Sequence, residues 1–482
     1  MTLKTGEEYV ESLRQLDLKV FLFGERVENP VDHPILRPSL NSVKATYDLA
    51  QDPEYRDLAT AVSPYTGERV NRFSHIHAST ADLVSKVKMQ RRLGQRTASC
   101  FQRCVGMDAL NSVFSTTFEI DGAHGTHYHE RFLDYLRYIQ SNDLIVDGAM
   151  TDPKGDRSLP PSRQPDPDMF VHVVERREDG IVIRGAKAHQ TGAANSHEVI
   201  VMPTQTMTEA DRDWAVTCAL PMDAEGIFMI VGRQSCDTRK LEGSPLDTGN
   251  PDFGGMEALI VFDDVFVPSE RVFMDGEFEF SGQLVERFAG YHRQSYACKT
   301  GVADVLIGAA ALAADYNGVP KASHVKDKII EMVHLNETIW SSALACSYEG
   351  SATASGNYLV DLLLANVNKQ NVTRFPYEIV RLATDVAGGL MVTAPSEKEL
   401  RHPELGPVVE KYFKAAPGVP TENRLKVMRF IENMSLGTGA VAYTTESLHG
   451  AGSPQAQRIM IGRQADIEAK KALARAIAHI QD

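Results

Sequence analysis

The stretch Phe170-Val-His-Val-Val174, Asp179-Gly180, Ile181-Val-Ile-Arg-Gly185 decides how the rest of the chain is read. Two short runs rich in β-branched and aromatic residues flank an Asp-Gly pair, and that pair supplies the positive φ a tight hairpin needs. Runs of the same kind follow at His197-Glu-Val-Ile-Val-Met202, Trp214-Ala-Val-Thr-Cys218, Ile227-Phe-Met-Ile-Val231 and Ala258-Leu-Ile-Val-Phe262. Together they predict a sheet of six or more strands between residues 170 and 273.

On either side the hydrophobic period changes from two to between three and four. Glu7–Leu16, Leu40–Gln51, Thr80–Leu93, Cys100–Phe114 and His129–Gln140 read as helices before the sheet, with Ser79 and Asp82 marking the start of the third. After it, Gly308–Tyr316, Lys326–Ser347, Tyr358–Val372, Tyr377–Ala387, Thr421–Leu436 and Arg463–Ile480 read the same way, and Pro417, Gly418 and Pro420 mark a loop. Helix, sheet and helix are segregated along the chain, which predicts an α+β fold rather than an alternating βαβ one. The expected boundaries are a helical N-terminal domain over 1–146, a β-sheet middle domain over 147–276 and a helical C-terminal domain over 277–482. No G-x-G-x-x-G follows a strand, and there is no Walker A sequence.

The 482 residues are 43% apolar, enough for a large core. A net charge of −14 argues against nucleic acid as a partner, because that contact needs a basic face. No uninterrupted apolar run of membrane-spanning length is evident, and the first residues lack a secretory apolar region. Six cysteines in so long a chain make no disulfide framework, so a reduced, cytoplasmic setting is expected.

Two separated fragments carry the sharpest chemical signal: Cys100-Phe-Gln-Arg-Cys104 and His292-Arg-Gln-Ser-Tyr-Ala-Cys298-Lys299. Three thiols and an imidazole form a ligand set suited to a soft metal or an iron–sulfur centre. Buried cysteines that merely pack are the plainer reading. With both fragments read as helix, Cys100 and Cys104 at i, i+4 are expected on one face. On a regular helix His292 and Tyr296 lie about 40° apart and Lys299 returns to within about 20° of His292. A base, a phenol and an ammonium on one face suit proton transfer with stabilisation of an enolate oxygen; a solvated polar face is the alternative. Glu257, after Gly254-Gly255, and Glu446, in Tyr443-Thr-Thr-Glu-Ser-Leu-His-Gly450, are carboxylates beside small residues where a ligand can approach closely; a cap or a surface loop is the plain alternative. The turn Gly148-Ala-Met-Thr-Asp-Pro-Lys-Gly-Asp-Arg-Ser158 gathers backbone donors, hydroxyls and two cations, as a pyrophosphate or flavin edge requires and as a polar linker also has. His189-Gln190-Thr191-Gly192 is a comparable loop. His124, His127 and His129 lack companion ligands and read as structural or exposed.

These motifs resemble the 4-hydroxybutyryl-CoA dehydratase/vinylacetyl-CoA Δ-isomerase family over essentially the whole chain. The segments 97–108, 147–157, 185–192, 286–296 and 446–457 carry the resemblance, and Phe262-Asp-Asp-Val-Phe-Val-Pro-Ser269 looks like the end of the β-domain in acyl-CoA dehydrogenases. The resemblance implies an acyl-CoA dehydrogenase-like fold with a helical-bundle C-terminal domain, a homotetramer with FAD at subunit interfaces, and a [4Fe–4S] cluster. It implies Cys100, Cys104, His292 and Cys298 as cluster ligands. It places Met150, Thr151, Asp152, Pro153, Lys154, Gly155, Asp156 and Arg157, with His189, Gln190, Thr191 and Gly192, against FAD, and Gln102 in support. Catalytic positions would be His292 as base, Glu446 as acid, Tyr296 with Lys299 as polarising groups, and Glu257 as a second proton-transfer group. The implied reaction is reversible radical dehydration of 4-hydroxybutyryl-CoA to crotonyl-CoA, with vinylacetyl-CoA isomerised at the same site. A cluster-free 4-hydroxyphenylacetate 3-monooxygenase-type hydroxylase, an isomerase alone and an inactive assembly subunit are the competing readings. The chain departs from the family pattern in having only Ala297 between Tyr296 and Cys298. Cys298 then stands about 120° from the face of His292 on a regular helix, and a tightened, 3₁₀-like turn would bring it back.

Overall fold

The computed structural model describes residues 3–233 and 238–480. In chain order its main strands are β1 (Val20–Leu22), β2 (Glu25–Arg26), β3 (Thr60–Val62), β4 (Arg69–Asn71), β5 (Val146–Ala149), β6 (His172–Arg176), β7 (Gly180–Thr191), β8 (Glu198–Val201), β9 (Val216–Pro221), β10 (Ile227–Val231), β11 (Glu257–Pro268) and β12 (Val272–Asp275). Two sheets form the centre, a six-stranded one ordered β2-β1-β10-β11-β7-β6 and a four-stranded one ordered β12-β9-β8-β5. β3 and β4 pair separately.

The Asp179-Gly180 hairpin is present: β6 and β7 are antiparallel, Arg176 pairs with Ile181, and the Arg177 N–H donates to the Gly180 carbonyl at 2.8 Å. The six apolar runs expected as strands all contribute, but they divide between two sheets instead of filling one. The six-stranded sheet also recruits β1 from the N-terminal region, parallel to β10 with Val20 opposite Met229. Apolar side chains of both sheets, including Val199, Ile200, Val201, Ile260 and Phe262, join one core with Leu110, Phe132 and Leu136 from the preceding helices. β11 and β7 are each 12 residues long, and their register sets Glu257 opposite Thr191 at the end of the pair.

Three expected helices change on folding. The one read from Cys100 begins at Cys104, because Ala98 and Gln102 both take positive φ and break the chain between Thr97 and Cys104. Cys100 and Cys104 therefore share no helical face. The helix read from Tyr358 begins at Leu362, after a short strand at Tyr358–Leu359 and an Asp361 side-chain cap. Arg463–Ile480 divides into Pro454–Gln464 and Ile467–Ala478, with left-handed Asp466 at the break. Among the described residues, Phe278–Tyr316 has a length and composition that would suit a membrane crossing. It is interrupted near Tyr296, and 67% of its apolar window is buried inside the protein, as in a core helix.

β5 was not legible in the sequence; it runs parallel to β8 with Asp147 opposite Val199. The Asp147 side chain is buried and neither of its oxygens has a hydrogen-bond partner of sound geometry among the described residues. Burial pushes its carboxyl up to about 7, with the neighbouring Gly148 N–H opposing only in part. A carboxyl raised in the folded state costs stability as pH rises from its unfolded value toward its folded one. Asp147→Asn removes that slope. Chemical denaturation should show its stability relative to the parent protein rising by about 2–3 kcal/mol from pH 5 to pH 8; an unchanged difference would contradict a neutral buried Asp147.

Candidate active site

The site is assembled around the junction of two helices, Ser281–Ser295 and Cys298–Tyr316. The backbone there is stitched by three-residue steps: Ala297 N–H to Gln294 O at 2.9 Å, Lys299 to Tyr296 at 3.1 Å and Thr300 to Ala297 at 3.0 Å. This is the tightened turn the short Tyr296–Cys298 spacing called for. Cys298 enters an apolar cluster with Cys104, Phe101, Met89, Leu93 and Met107. Glycine makes the approach possible. A Cβ on Gly94 would meet the Cys298 carbonyl at 2.5 Å, and one on Gly301 would collide with the Arg91 carbonyl. The helices Thr80–Thr97 and Cys298–Tyr316 therefore touch backbone to backbone.

Cys100 lies in the irregular segment before Cys104, half-buried. Gln102, at φ +66°, turns its amide away to Ser39, donating to the Ser39 carbonyl at 3.0 Å and accepting from Asn195 at 2.8 Å. Ser39 and Asn195 gave no sequence signal, because only folding brings residues 39, 102 and 195 together. Burial first, and then the neighbouring acidic groups and thiols, push the Cys100 and Cys104 thiols well up; Cys298 rises to about 11. Lys299 and Lys86 oppose that rise only in part, and three buried thiols are a donor set of the kind that holds a soft metal centre. Among the described residues, no three His, Cys, Asp or Glu side chains gather closely enough to hold a single metal ion.

His292 is fixed by a residue the sequence reading passed over. Its Nδ1 lies 2.8 Å from Asp108 Oδ2, which also accepts from Ser295 Oγ at 2.8 Å, while Asp108 Oδ1 accepts from Lys86 Nζ at 2.6 Å. Burial alone would raise the Asp108 carboxyl, but Lys86 and His292 outweigh it and hold it below the usual carboxylate range.

The carboxylates form the opposite wall. The Thr191 hydroxyl reaches both oxygens of Glu257, at 2.7 and 2.8 Å. Desolvation, and then the charge of Glu446 within hydrogen-bonding reach, lift Glu257 well above the carboxylate range. Glu446 follows a π-turn at Val441–Thr445 and accepts from Lys299 Nζ at 2.6 Å, while the Ala442 carbonyl in that turn accepts from the same ammonium. Burial would discharge Lys299, but Glu446 outweighs it and holds it protonated, well above its ordinary value. Its Nζ stands 5.4 Å from the Tyr296 ring centre, and Lys369 Nζ stands 4.4 Å from the same ring. A Cβ on Gly255 would sit 3.9 Å from both Cys100 Cβ and Glu446 Oε1, so the Gly254-Gly255 pair keeps open the space between thiol and carboxylate.

The segments expected to face a flavin lie along one edge of this site. Lys187 Nζ ties down the start of the 150–157 turn, donating to the Met150 carbonyl at 2.9 Å and to Asp152 at 2.6 Å. The Ala188 N–H donates to the Thr151 carbonyl, and Gln190 turns inward to the Ala188 carbonyl at 2.7 Å. Asp152 and Gln190 thus brace the backbone, whereas Lys154, Gly155, Asp156 and Arg157 are exposed and Pro153 is half-buried. His189, at φ +57°, has its pKa lowered by desolvation and then by Lys154 and His449, which brings the turn, the end of β7 and the Glu446–His449 helix to one place. Gly192, at φ +81°, abuts Gln102, where a Cβ would meet the amide at 2.7 Å. An exposed turn with two cations beside a buried polar edge fits the diphosphate and ring of a flavin nucleotide. His124 pairs with Glu279 at 2.7 Å and His129 with Thr117 at 3.0 Å, away from this site.

The chain matches the 4-hydroxyphenylacetate 3-hydroxylase family, its N-terminal part over residues 5–274 and its C-terminal part over 281–479. It is 65% identical over 489 residues to the 4-hydroxybutyryl-CoA dehydratase/vinylacetyl-CoA-Δ-isomerase of Clostridium aminobutyricum, covering 99% of this chain and 100% of that one. A solved oxygen-tolerant archaeal 4-hydroxybutyryl-CoA dehydratase from N. maritimus superposes with a TM-score of 0.98 at 60% identity, covering 100% of this chain and 96% of that one. The oxygenase component of 4-hydroxyphenylacetate 3-monooxygenase, solved with FAD and 4-hydroxyphenylacetate, superposes with a TM-score of 0.86 at 26% identity over 98% of each chain.

Gly450 supplies a direct check of this geometry. A Cβ there would run into the Tyr296 hydroxyl, whereas one on Gly462 meets nothing within 4 Å. Gly450→Ala should lower turnover roughly tenfold or more by displacing the phenol, with Gly462→Ala at parental rate. Equal rates for both variants would remove Tyr296 from the site.

Proposed function

The chain belongs to the 4-hydroxyphenylacetate 3-hydroxylase family and within it to the 4-hydroxybutyryl-CoA dehydratase/vinylacetyl-CoA Δ-isomerases, and on that premise we propose that it interconverts 4-hydroxybutyryl-CoA and crotonyl-CoA and isomerises vinylacetyl-CoA at the same site. It is an enzyme, a lyase with isomerase activity. The observation that carries the reading is the approach of Cys100 and Glu446 to Gly255, with Lys299 on Glu446 and with Cys104 and Cys298 in one buried cluster. A hydroxylase needs no such thiols, and that alternative rests on relatives of much lower identity.

Cys100, Cys104, Cys298 and His292 would hold the [4Fe–4S] cluster, and the 150–157 turn with His189, Thr191 and Gly192 would hold FAD. When bound, FAD supplies removal and return of one electron, which makes the C3 proton of the enolised substrate acidic, and the cluster supplies a Lewis-acidic edge. The chain's own groups move the protons. One leaves C2 and one leaves C3; hydroxide leaves C4 with one proton as water, and one proton is returned to C4, so the sum is loss of water without net oxidation. His292 would take the C2 proton on Nε2, the nitrogen its Asp108 contact leaves free, while that nitrogen is not bound to the cluster. Desolvation, and then the neighbouring Glu446, raise the Glu257 carboxyl, while Glu446 accepts from Lys299 Nζ at 2.6 Å. That supports Glu257 as the acid for the departing hydroxyl, with Glu446 as its partner, in place of the sequence expectation that Glu446 acts as the acid. Lys299 and Tyr296 would polarise the substrate carbonyl.

The acyl-CoA dehydrogenase-like arrangement and the homotetramer belong to the same proposal. In support, the helix Ile467–Ala478 buries none of its residues, and Leu473 and Ile477 are 68% and 84% exposed, a surface a second subunit would cover.

The test is iron, acid-labile sulfide and flavin per chain on anaerobically purified protein, with both reactions assayed. About four irons, about four sulfides and one FAD are expected. Flavin without iron would overturn the dehydratase assignment. Glu257→Gln should cut dehydration by about 10²-fold or more while isomerisation, which releases no hydroxide, falls far less. Equal loss of both would sink Glu257 as the acid.

A further inference from the structure

Three helices, Thr80–Thr97, Cys104–His124 and Ser281–Ser295, meet at one carboxylate. Lys86 and Asp108 are both 0% exposed, so their 2.6 Å contact is a fully buried ion pair. Lys86 also donates to the Tyr291 carbonyl at 3.1 Å, one residue before His292. Ser295 Oγ donates to Asp108 Oδ2 at 2.8 Å and lies 3.2 Å from Oδ1. The His292 ring is packed between Phe288, stacked at 5.4 Å, and Tyr296, edge-on at 5.4 Å, which leaves it little freedom to turn. Both charges are closely paired and further hydrogen-bonded, which offsets the cost of burying them and fixes the carboxylate in place.

An ionised carboxylate only accepts hydrogen bonds. The ring nitrogen facing Asp108 must therefore carry a proton, and the lone pair of the neutral imidazole is left on Nε2. We propose that Asp108, anchored by Lys86, is a positioning residue that sets His292 in its Nδ1–H tautomer and so leaves Nε2 as the one nitrogen free to bind. What Nε2 binds rests on the cluster reading above; the tautomer does not.

The pairing predicts an unusual response to an isosteric change. Lys86 has no acceptor, so in Asp108→Asn the amide must turn its oxygen toward Lys86 and its NH₂ toward His292. That NH₂ demands a bare Nδ1 and drives the ring proton to Nε2, where it blocks ligation, as a carboxylate-to-amide change does to other oriented histidines. Replacing Lys86 with Met as well frees the amide to turn back. The double variant also removes both buried charges together, so it is expected to fold even where the single variant does not.

The experiment is solid-state ¹⁵N NMR of histidine-labelled full-length protein as isolated, with His292 assigned by its loss in His292→Gln and iron per chain measured on the same samples. The parent protein should carry its proton on Nδ1. Asp108→Asn should carry it on Nε2 and hold iron roughly tenfold or more weakly against a chelator, the usual effect of losing a carboxylate behind a metal-bound histidine. Lys86→Met/Asp108→Asn should restore Nδ1–H and most of the iron. A proton on Nε2 in the parent protein, or no restoration in a folded double variant, overturns the proposal. Nδ1–H in a parent protein that contains no iron would refute the cluster reading and leave the tautomer assignment standing.

Discussion

The site depends on one buried carboxylate. Asp108 joins the helices that carry Lys86, Cys104 and His292, and it does so without contact with solvent. A buried ion pair contributes little net stability compared with apolar packing, but breaking one is expensive, so it discriminates strongly against helix arrangements in which the two charges fail to meet. The glycine contact at Gly94 and Gly301 acts in the same direction by sterics: it fixes how near the backbone at Cys298 comes to the helix ending at Thr97.

The second wall is arranged by opposition. Glu257, Glu446, Lys299 and Tyr296 are crowded together. Burial and then Glu446 raise the Glu257 carboxyl, while Glu446 holds the buried Lys299 charged, so one carboxylate acts on both neighbours. A site that moves protons to and from carbon needs an acid and a base of similar chemical type at once, and unequal environments for paired carboxyls provide them. The π-turn before Glu446 exposes a carbonyl for Lys299 where a regular helix would have used it internally.

Much of this was legible before folding. The Asp179-Gly180 hairpin and the segregation of sheet from helix follow from periodicity and turn chemistry, whereas His292, Tyr296 and Lys299, expected on one regular helix, are divided by the break after Ser295. The thiol pair was read on the wrong element: Cys100 and Cys104 are four apart, yet Ala98 and Gln102 adopt left-handed backbone that residue type alone does not announce. β5 and the split into two sheets escaped notice because Val146–Ala149 is too short, and too interrupted by Asp147 and Gly148, to carry a period. Asp108 was inside a recognised motif, but nothing local marked it as the partner of a histidine 184 residues away.

By itself, the sequence determined the kinds of groups available and their local conformation: which runs alternate, where chains turn, and that three thiols, an imidazole and two carboxylates stand beside small residues. Those are short-range matters, settled by side-chain chemistry within a few residues. Only the tertiary structure decided which of the groups meet, which nitrogen of His292 faces Asp108, and which carboxyl is buried beside another acidic group. These depend on burial and on charges brought together from distant parts of the chain, and an electrostatic field inside a low-dielectric interior has no value until the whole fold defines it.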